Sequence, residues 1–511
     1  MLSRTYCASC IGIEAITVTI EVDVSQGISF FLVGLPDSAV RESQQRISTA
    51  LMTIGARIPG KKIIVNMAPA DLRKEGSSFD LAIAVGILAA SEQYIFNSLS
   101  SYIIMGELAL DGSLRAVPGA LPIAVHAREE SFRGCIFPVE SAMEASEIDG
   151  IVIYAAHNLA DVISILLDDG VISPVKPLSD TACFEGADVS SPVLQSSFAP
   201  DFSEIKGQEH VKRGLEIAAA GGHNLLMCGT PGSGKSLMAK AFAGILPPLG
   251  RDESIETSMI YSVAGRGHSF KGLIRERPFR APHHSSSAIA ITGGGTKAFP
   301  GEISLAHNGV LFMDELPEFS RHLLELLRQP LEERVISLSR ANYKVTYPCN
   351  FQLLASMNPC PCGYYGDSAG RCTCSPHMVS RYIAKVSGPL LDRIEMRLEV
   401  NAVPGERLLS NSLAESTSVI KERVIAAREL QKRRFDGRSC TNSGLTPAEI
   451  KKHCPLGSGE SRLLATAISR LNLSARGYGK ILKVARTIAD LDHSQHISTA
   501  HLAEAIQYRG S

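Results

Sequence analysis

The chain has 511 residues, of which 45% are hydrophobic and 20% charged, with a formal net charge of −1. That length exceeds one ordinary domain, and the composition is that of a globular chain with a large core, which excludes fibrous and low-complexity classes. A net charge so near zero also excludes attraction of nucleic acid or membrane through the overall field, so a polyanion would have to meet a local patch.

The N-terminus, Met1 to Glu21, lacks the apolar core and cleavage site of a signal peptide. No stretch approaches the roughly eighteen uninterrupted apolar residues of a membrane span. No membrane partner and a cytoplasmic location are expected. Cys7-Ala-Ser-Cys10 has a redox or metal spacing, but without a second nearby pair it reads as two structural cysteines. Period-two runs predict strands at Ala15–Val22, Phe30–Val33 and Lys62–Asn66, with a fourth entering a turn over Ile103–Leu110 and Asp111-Gly112. Helices are predicted over Asp37–Ile54 and Phe79–Ala90. Residues 1–168 therefore read as an α/β domain with its own core.

From Leu166 to Pro200 the chain turns acidic, then rich in Pro, Ser and Asp, without sustained periodicity, and 169–200 reads as a linker. The motor-like part follows. Leu225-Leu-Met-Cys228, then Gly229-Thr230-Pro231-Gly232-Ser233-Gly234-Lys235-Ser236, then Leu237–Ala243, reads as strand, glycine-rich loop and helix, the context a P-loop needs. Successive backbone N–H groups and the helix N-terminus can cradle phosphate oxygens there, Lys235 can reach the β- and γ-phosphates of ATP, and the Ser236 hydroxyl can ligate Mg²⁺. The second acid comes from the apolar run ending in Asp314-Glu315, which looks like a Walker B. Asp314 is expected to hold Mg²⁺ through its water shell and Glu315 to polarise the attacking water. The next strand, Phe351–Asn358, brings Asn358 to the position of a γ-phosphate sensor. Twelve cysteines in a chain that uses ATP imply a reducing compartment and no disulfide framework.

About seventy residues separate the P-loop from the second acid, more than a strand, helix and strand need. Within them Arg266, Lys271, Arg275, Arg277, Arg280 and Lys297 face only Glu276, beside His268, His283 and His284. The segment reads as a polyanion-binding loop, with a solvated face as the alternative. The paired histidines diverge and read as hydrogen-bonding or phosphate-facing groups, not metal ligands. Ser320 can cap a helix running to Gln329. Arg334–Leu338 and Tyr343–Tyr347 flank Ser339–Asn342 as a hairpin, with Arg340 and Lys344 near its tip. Cys360, Cys362, Cys372 and Cys374 form a C-x-C, nine-residue, C-x-C cluster (360–374) on a turn-rich loop, and four thiolates so spaced can close a tetrahedral Zn²⁺ site. Residues 201–402 thus hold the ATPase core, and 403–511, rich in Ala, Leu, Arg and Glu with Thr446 and Ser498 as caps, hold a helical lid.

Several of these stretches resemble known families. Arg73–Asp80 and Gly106–Gly112 look like the two signature stretches of the Lon-protease type domain, with Ser78 at the nucleophile position. The resemblance puts Leu121 where that family has its lysine base, and no Lys occurs between Lys74 and Lys176. A serine without an adjacent base is a poor nucleophile, so a protease-like fold without protease activity is expected. Ile205-Lys-Gly-Gln208 looks like the motif that closes over adenine in AAA+ proteins. Ser387–Glu395 resembles the arginine-finger segment of the magnesium-chelatase branch, with Arg393 at the finger, and Arg486 takes the place of the lid arginine that senses the γ-phosphate. Over the whole chain the motif order looks very like the ComM/YifB family, bacterial magnesium-chelatase-like AAA+ ATPases. The resemblance implies a hexameric ring and a branch-migrating DNA helicase that acts on single-stranded or branched DNA during natural transformation. Two alternatives stand beside it: a metal-insertion or remodelling chaperone ATPase acting on a protein partner, and an ATP-dependent protease.

Overall fold

The computed structural model describes residues 1–168, 170–177, 199–267, 272–295, 298–339, 344–366, 370–403, 414–435, 437–438, 440–471 and 474–509. Most of the expected linker, and with it Arg340, Lys271, Lys297 and His268, lies outside them.

Alternating apolar residues build a seven-stranded mixed sheet in the first part of the chain. Its order is Ser29–Val33, Lys62–Ala68, Glu14–Ser25, Leu2–Ile11, Tyr102–Ile104, Gly134–Pro138, Val152–Ala156. The strand Leu2–Ile11, which the sequence reading did not assign, lies near the middle, antiparallel to Glu14–Ser25 with Cys7 opposite Val18. Cys7 and Cys10 sit within that strand as free cysteines, the first fully buried. The helix Asp80–Ala90 is buried almost all round and packs across this sheet. The helix expected over 37–54 breaks at Glu42 into Ser38–Arg41 and Ser43–Thr53. The strand expected over 103–110 stops at Ile104, and Glu107–Leu108 pairs with Leu114–Arg115 around the turn at Gly112 (φ +80°).

The second sheet is wholly parallel, in the order Phe279–Arg280, Val310–Met313, Gln352–Met357, Leu225–Gly229, Met396–Val400. Its central strands are apolar on both faces, as a sheet covered on both sides requires: all four residues of Val310–Met313 and all six of Gln352–Met357 are buried. Ser320 does cap a helix, accepting from Leu323 N–H at 3.3 Å, but that helix ends at Leu326 and a second begins at Arg328. Pro330, which has no N–H to donate, is accommodated in the first turn of the new helix. The hairpin pairs Val335–Ser339 with Lys344–Pro348. Helices Thr417–Arg434, Pro447–His453, Ser458–Arg470, Ala475–Leu491 and Thr499–Gln507 follow, and Thr446 and Ser498 cap the second and fifth.

The two sheets belong to bodies that touch. Helix Arg251–Val263 lies against helix Ala120–Glu129, and Ser262 joins them: its carbonyl accepts from Gly119 N–H at 3.1 Å, while its hydroxyl donates to Glu144 Oε1 at 2.6 Å. Burial pushes the Glu144 carboxyl up to about 7, against the opposing pull of Ser262 and of the backbone N–H groups of Leu121 and Ala120. Among the described residues no helix is long and apolar enough to cross a membrane.

Candidate functional site

In the parallel sheet the strands Leu225–Gly229, Val310–Met313 and Gln352–Met357 all run in one direction, so the residues that follow them converge on one edge, where open α/β sheets bind ligands. Gly229 leaves its strand against Val400, whose carbonyl oxygen would lie 2.0 Å from any Cβ at that position. Gly232 and Gly234 take φ of +74° and +90°, which lets the loop fold back before helix Lys235–Gly244 begins.

Lys235 Nζ donates to the carbonyls of Gly229 (2.8 Å) and Thr230 (2.9 Å) and to Asn358 Oδ1 (3.2 Å). Burial depresses its pKa, while Asp314, Cys228 and Glu315 hold the charge on. Ser236 Oγ donates to Asp314 Oδ2 at 2.6 Å. Asp314 Oδ1 accepts from Ser356 Oγ and, at 3.1 Å, from Glu315 N–H. The hydroxyls of Thr230 and Ser233 are buried within the loop without a hydrogen-bond partner. Buried polar groups are nearly always paired, so two orphaned hydroxyls in a glycine cradle mark the space of a polar ligand. A hard-oxygen pair, Ser236 with Asp314, suits Mg²⁺, and the cradle with Lys235 suits the phosphates of ATP.

Lys235, Ser236, Asp314, Glu315 and Asn358 are thus brought together. Arg393 is not brought to this loop: its guanidinium pairs with Glu332 and donates to the Pro389 carbonyl at 2.5 Å, and its Nε has no partner. Arg486, expected as the γ-phosphate sensor of the lid, is likewise engaged elsewhere in this structure. It is 2% exposed, pairs with Asp490, and donates to the carbonyls of Ser494 and Gln495. All of that binding capacity serves the lid's own core. Two arginines of the basic insert have partners within the fold. Arg277 is spent on Glu253 (2.8 Å) and the carbonyls of Pro247 and Asn308, and Arg280 grips Glu302 with two bonds of 2.6 and 2.7 Å. Arg275 and Lys344 remain exposed.

Ser356 carried no assigned role in the sequence reading, and His284 was read there as a hydrogen-bonding or phosphate-facing group without a named partner. Ser356 bridges the Asp314 carboxylate and, at 3.4 Å, the Glu315 N–H. Its signal was a lone hydroxyl in an apolar strand, two residues before Asn358 and hence on the same face. His284 Nδ1 lies 3.6 Å from Glu315 Oε2, a contact across the fold that no spacing reveals.

The four cysteines do converge. Cys360, Cys362, Cys372 and Cys374 place their sulfurs within 4.8 Å of one another. Ser78, expected at a Lon-type nucleophile position, is half-buried and its carbonyl accepts from Gly106 N–H, while Leu121 is buried in helix Ala120–Glu129. Lys74 is fully buried and turned to the Pro69 carbonyl.

Models of magnesium-chelatase families match along the chain: "Magnesium chelatase, subunit ChlI" over residues 201–408, "Subunit ChlI of Mg-chelatase" over 20–141, and "Magnesium chelatase, subunit ChlI C-terminal" over 414–509. The class of protein is therefore a magnesium-chelatase-like AAA+ ATPase. Competence protein ComM of Haemophilus influenzae is 44% identical over 510 residues, 99% of this chain and 97% of that one. YifB of Escherichia coli is 44% identical over 511 residues with the same coverage. Magnesium-chelatase subunit ChlI of Olisthodiscus luteus is 26% identical over 248 residues, 45% of this chain and 70% of that one. With full-length identity at this level, the chain belongs to the ComM/YifB family of magnesium-chelatase-like proteins.

Proposed function

We propose that this chain is an ATP-driven ring motor, most simply a hexamer, that migrates branched DNA during recombination of incoming DNA in natural transformation. The observation that carries this reading is the nucleotide cradle. Lys235, Ser236, Asp314, Glu315 and Asn358 meet at one sheet edge beside two orphaned hydroxyls, in a chain that matches a competence protein end to end.

In the working cycle Lys235 would leave its carbonyl partners for the β- and γ-phosphates, and Ser236 with Asp314 would hold Mg²⁺, which would supply charge neutralisation at the phosphoryl oxygens. Glu315 orients the attacking water, and Asn358 senses the γ-phosphate. Arg393 leaves Glu332 for the nucleotide of a neighbouring subunit. The N-terminal body is a Lon-protease-like fold without a catalytic base at position 121, and it scaffolds the motor through Ser262 and Glu144. The four thiols hold a structural Zn²⁺.

Track contacts fall on Arg275 and on Lys344, at the base of the hairpin tip. A second reading is favoured by the family descriptions themselves, since three chelatase models match the chain: an ATPase that remodels a protein partner for metal insertion. ATP turnover measured with and without single-stranded and branched DNA separates the two. DNA stimulation is expected; turnover indifferent to DNA but raised by a partner protein would replace the first reading with the second.

A further inference from the structure

The chain leaves strand Gln352–Met357 at Asn358, and among the described residues the next regular element is helix Pro376–Ile383. Between them Gly363, Gly366 and Gly370 all take positive φ, and Tyr365 is exposed. Apolar burial therefore does little to hold this stretch, and glycines give it the largest entropy to lose.

The stretch nevertheless bears on the nucleotide loop. A Cβ built on Gly363 would lie 2.5 Å from Pro231 Cγ, 2.6 Å from Pro231 Cδ and 3.9 Å from Asn358 Cγ. The backbone at Gly363 is thus seated on the phosphate-binding loop with no space to spare. Gly363 is in turn tied to the first thiol: its N–H donates to the Cys360 carbonyl at 3.0 Å, and Tyr365 N–H donates to Cys360 Sγ at 3.3 Å. Asn358, two residues before Cys360, accepts from Lys235 Nζ. One turn thereby sets both a wall of the phosphate loop and the amide that meets Lys235.

What anchors the turn is the sulfur cluster. Cys360 Sγ lies 3.3 Å from Cys362 Sγ and 3.8 Å from Cys372 Sγ, and Cys362 and Cys372 are 3.7 Å apart. These separations are too long for disulfides and close to the roughly 3.8 Å edge of a tetrahedron with zinc–sulfur bonds of about 2.3 Å. With four protein sulfurs such a site has no open position for substrate, so its effect is mechanical.

We propose that the tetrathiolate site binds one soft divalent ion of the zinc class, and that this ion is the brace that seats Gly363 on Pro231 and so sets the affinity of the phosphate loop for nucleotide. The inference rests on the reading of 229–236 as the nucleotide site. Without the ion the cysteine loop relaxes, because a glycine-rich segment regains the most entropy on release, and Pro231 and Asn358 lose their backing.

The test uses the full chain, purified without a histidine tag under reducing conditions. Metal content and affinity for a fluorescent ADP analogue with Mg²⁺ are measured before and after the thiol-bound metal is displaced with a mercurial and chelated, and again after thiol reduction and zinc addition. The expected result is about one zinc per chain, at least about tenfold weaker nucleotide binding once it is removed (about 1.4 kcal/mol), and recovery with zinc but not with extra Mg²⁺. Gly363→Ala should keep its zinc and still bind nucleotide more weakly, because the added methyl must push Pro231 away. Cys372→Ser, if it folds by circular dichroism, should lose both. Equal nucleotide affinity with and without zinc, or a folded, nucleotide-binding wild type that carries no metal, would overturn the brace. A zinc-replete wild type that binds no nucleotide would instead overturn the nucleotide reading beneath it.

Discussion

Both the mixed sheet and the parallel sheet have polar residues clustered beside them, yet only one cluster is read as a candidate site, and the difference lies in what those residues have left to bind. Around Ser78 in the mixed sheet the polar groups satisfy one another: Arg46 donates to both Asp80 oxygens at 2.6 and 3.0 Å, Ser77 pairs with Glu107, and Lys74 turns to a backbone carbonyl. At the edge of the parallel sheet the Thr230 and Ser233 hydroxyls are buried and unpaired. Lys235 rests partly on backbone carbonyls that it can exchange for a better anion. Unpaired hydroxyls occur elsewhere too, Ser43 in the N-terminal body among them; what is particular to the parallel-sheet edge is that they lie in a glycine loop beside an exchangeable lysine and an acid pair.

The largest effect should come from removing one of those groups. Lys235→Ala is expected to abolish nucleotide binding, whereas Glu315→Gln should keep binding and lose at least about a hundredfold in hydrolysis; titration with a fluorescent nucleotide beside steady-state turnover reads both. Equal ATP affinity in wild type and Lys235→Ala would erase the contrast between the two sheets.

Next comes Arg393, which in the isolated chain is held by Glu332. Arg393→Ala should cost on the order of 10³-fold in hydrolysis if the arginine acts across a subunit boundary. Mixing it with Lys235→Ala subunits should then restore part of the turnover at mixed interfaces. No recovery in rings shown to be mixed would assign Arg393 to its own subunit's structure.

Arg486 extends the comparison to the lid. Because Asp490 is shared by Arg486, Arg434 and Asn442, Arg486→Ala leaves a buried charge network broken and should cost about 3–5 kcal/mol of stability. The signature is a lower unfolding midpoint in denaturant, with nucleotide affinity unchanged at temperatures where the variant is folded. A stable Arg486→Ala protein with lost nucleotide response would assign Arg486 the sensor role.

Glu144, at the seam between the bodies, gives a pH test. Its folded pKa of about 7 stands above the ordinary 4.5, so between those values the folded state keeps a proton that the unfolded state has lost. Stability therefore falls as pH rises through that window. Glu144→Gln stays neutral and should gain on wild type progressively from about pH 4.5 to 7, reaching on the order of 3 kcal/mol above it. Parallel melting curves of the two proteins across pH 5–8 would show the seam does not carry the proton.

The smallest effect is on the track. Reversing charge at Arg275 and Lys344 should reduce DNA-stimulated turnover several-fold and flatten its salt dependence while basal turnover stays within about twofold. Extending the reversal to Arg277 would be uninformative, since that side chain holds Glu253 and two backbone carbonyls in place.

The sequence alone determined what is local. A glycine loop between a strand and a helix, an acid pair closing an apolar run, and four cysteines in fifteen residues are each written in contiguous stretches, because their geometry follows from strand and helix periods and turn residues. Tertiary structure decided which charges remain available. Arg277, Arg280 and Arg486 read as ligand-facing cations in one dimension, and each is neutralised by a carboxylate or carbonyl that folding brings beside it. The same holds for Ser356 against Asp314, His284 against Glu315, and Gly363 against Pro231. Pairing energies fall steeply with distance, so whether a charged group serves the fold or a ligand is settled only when the chain has closed around it.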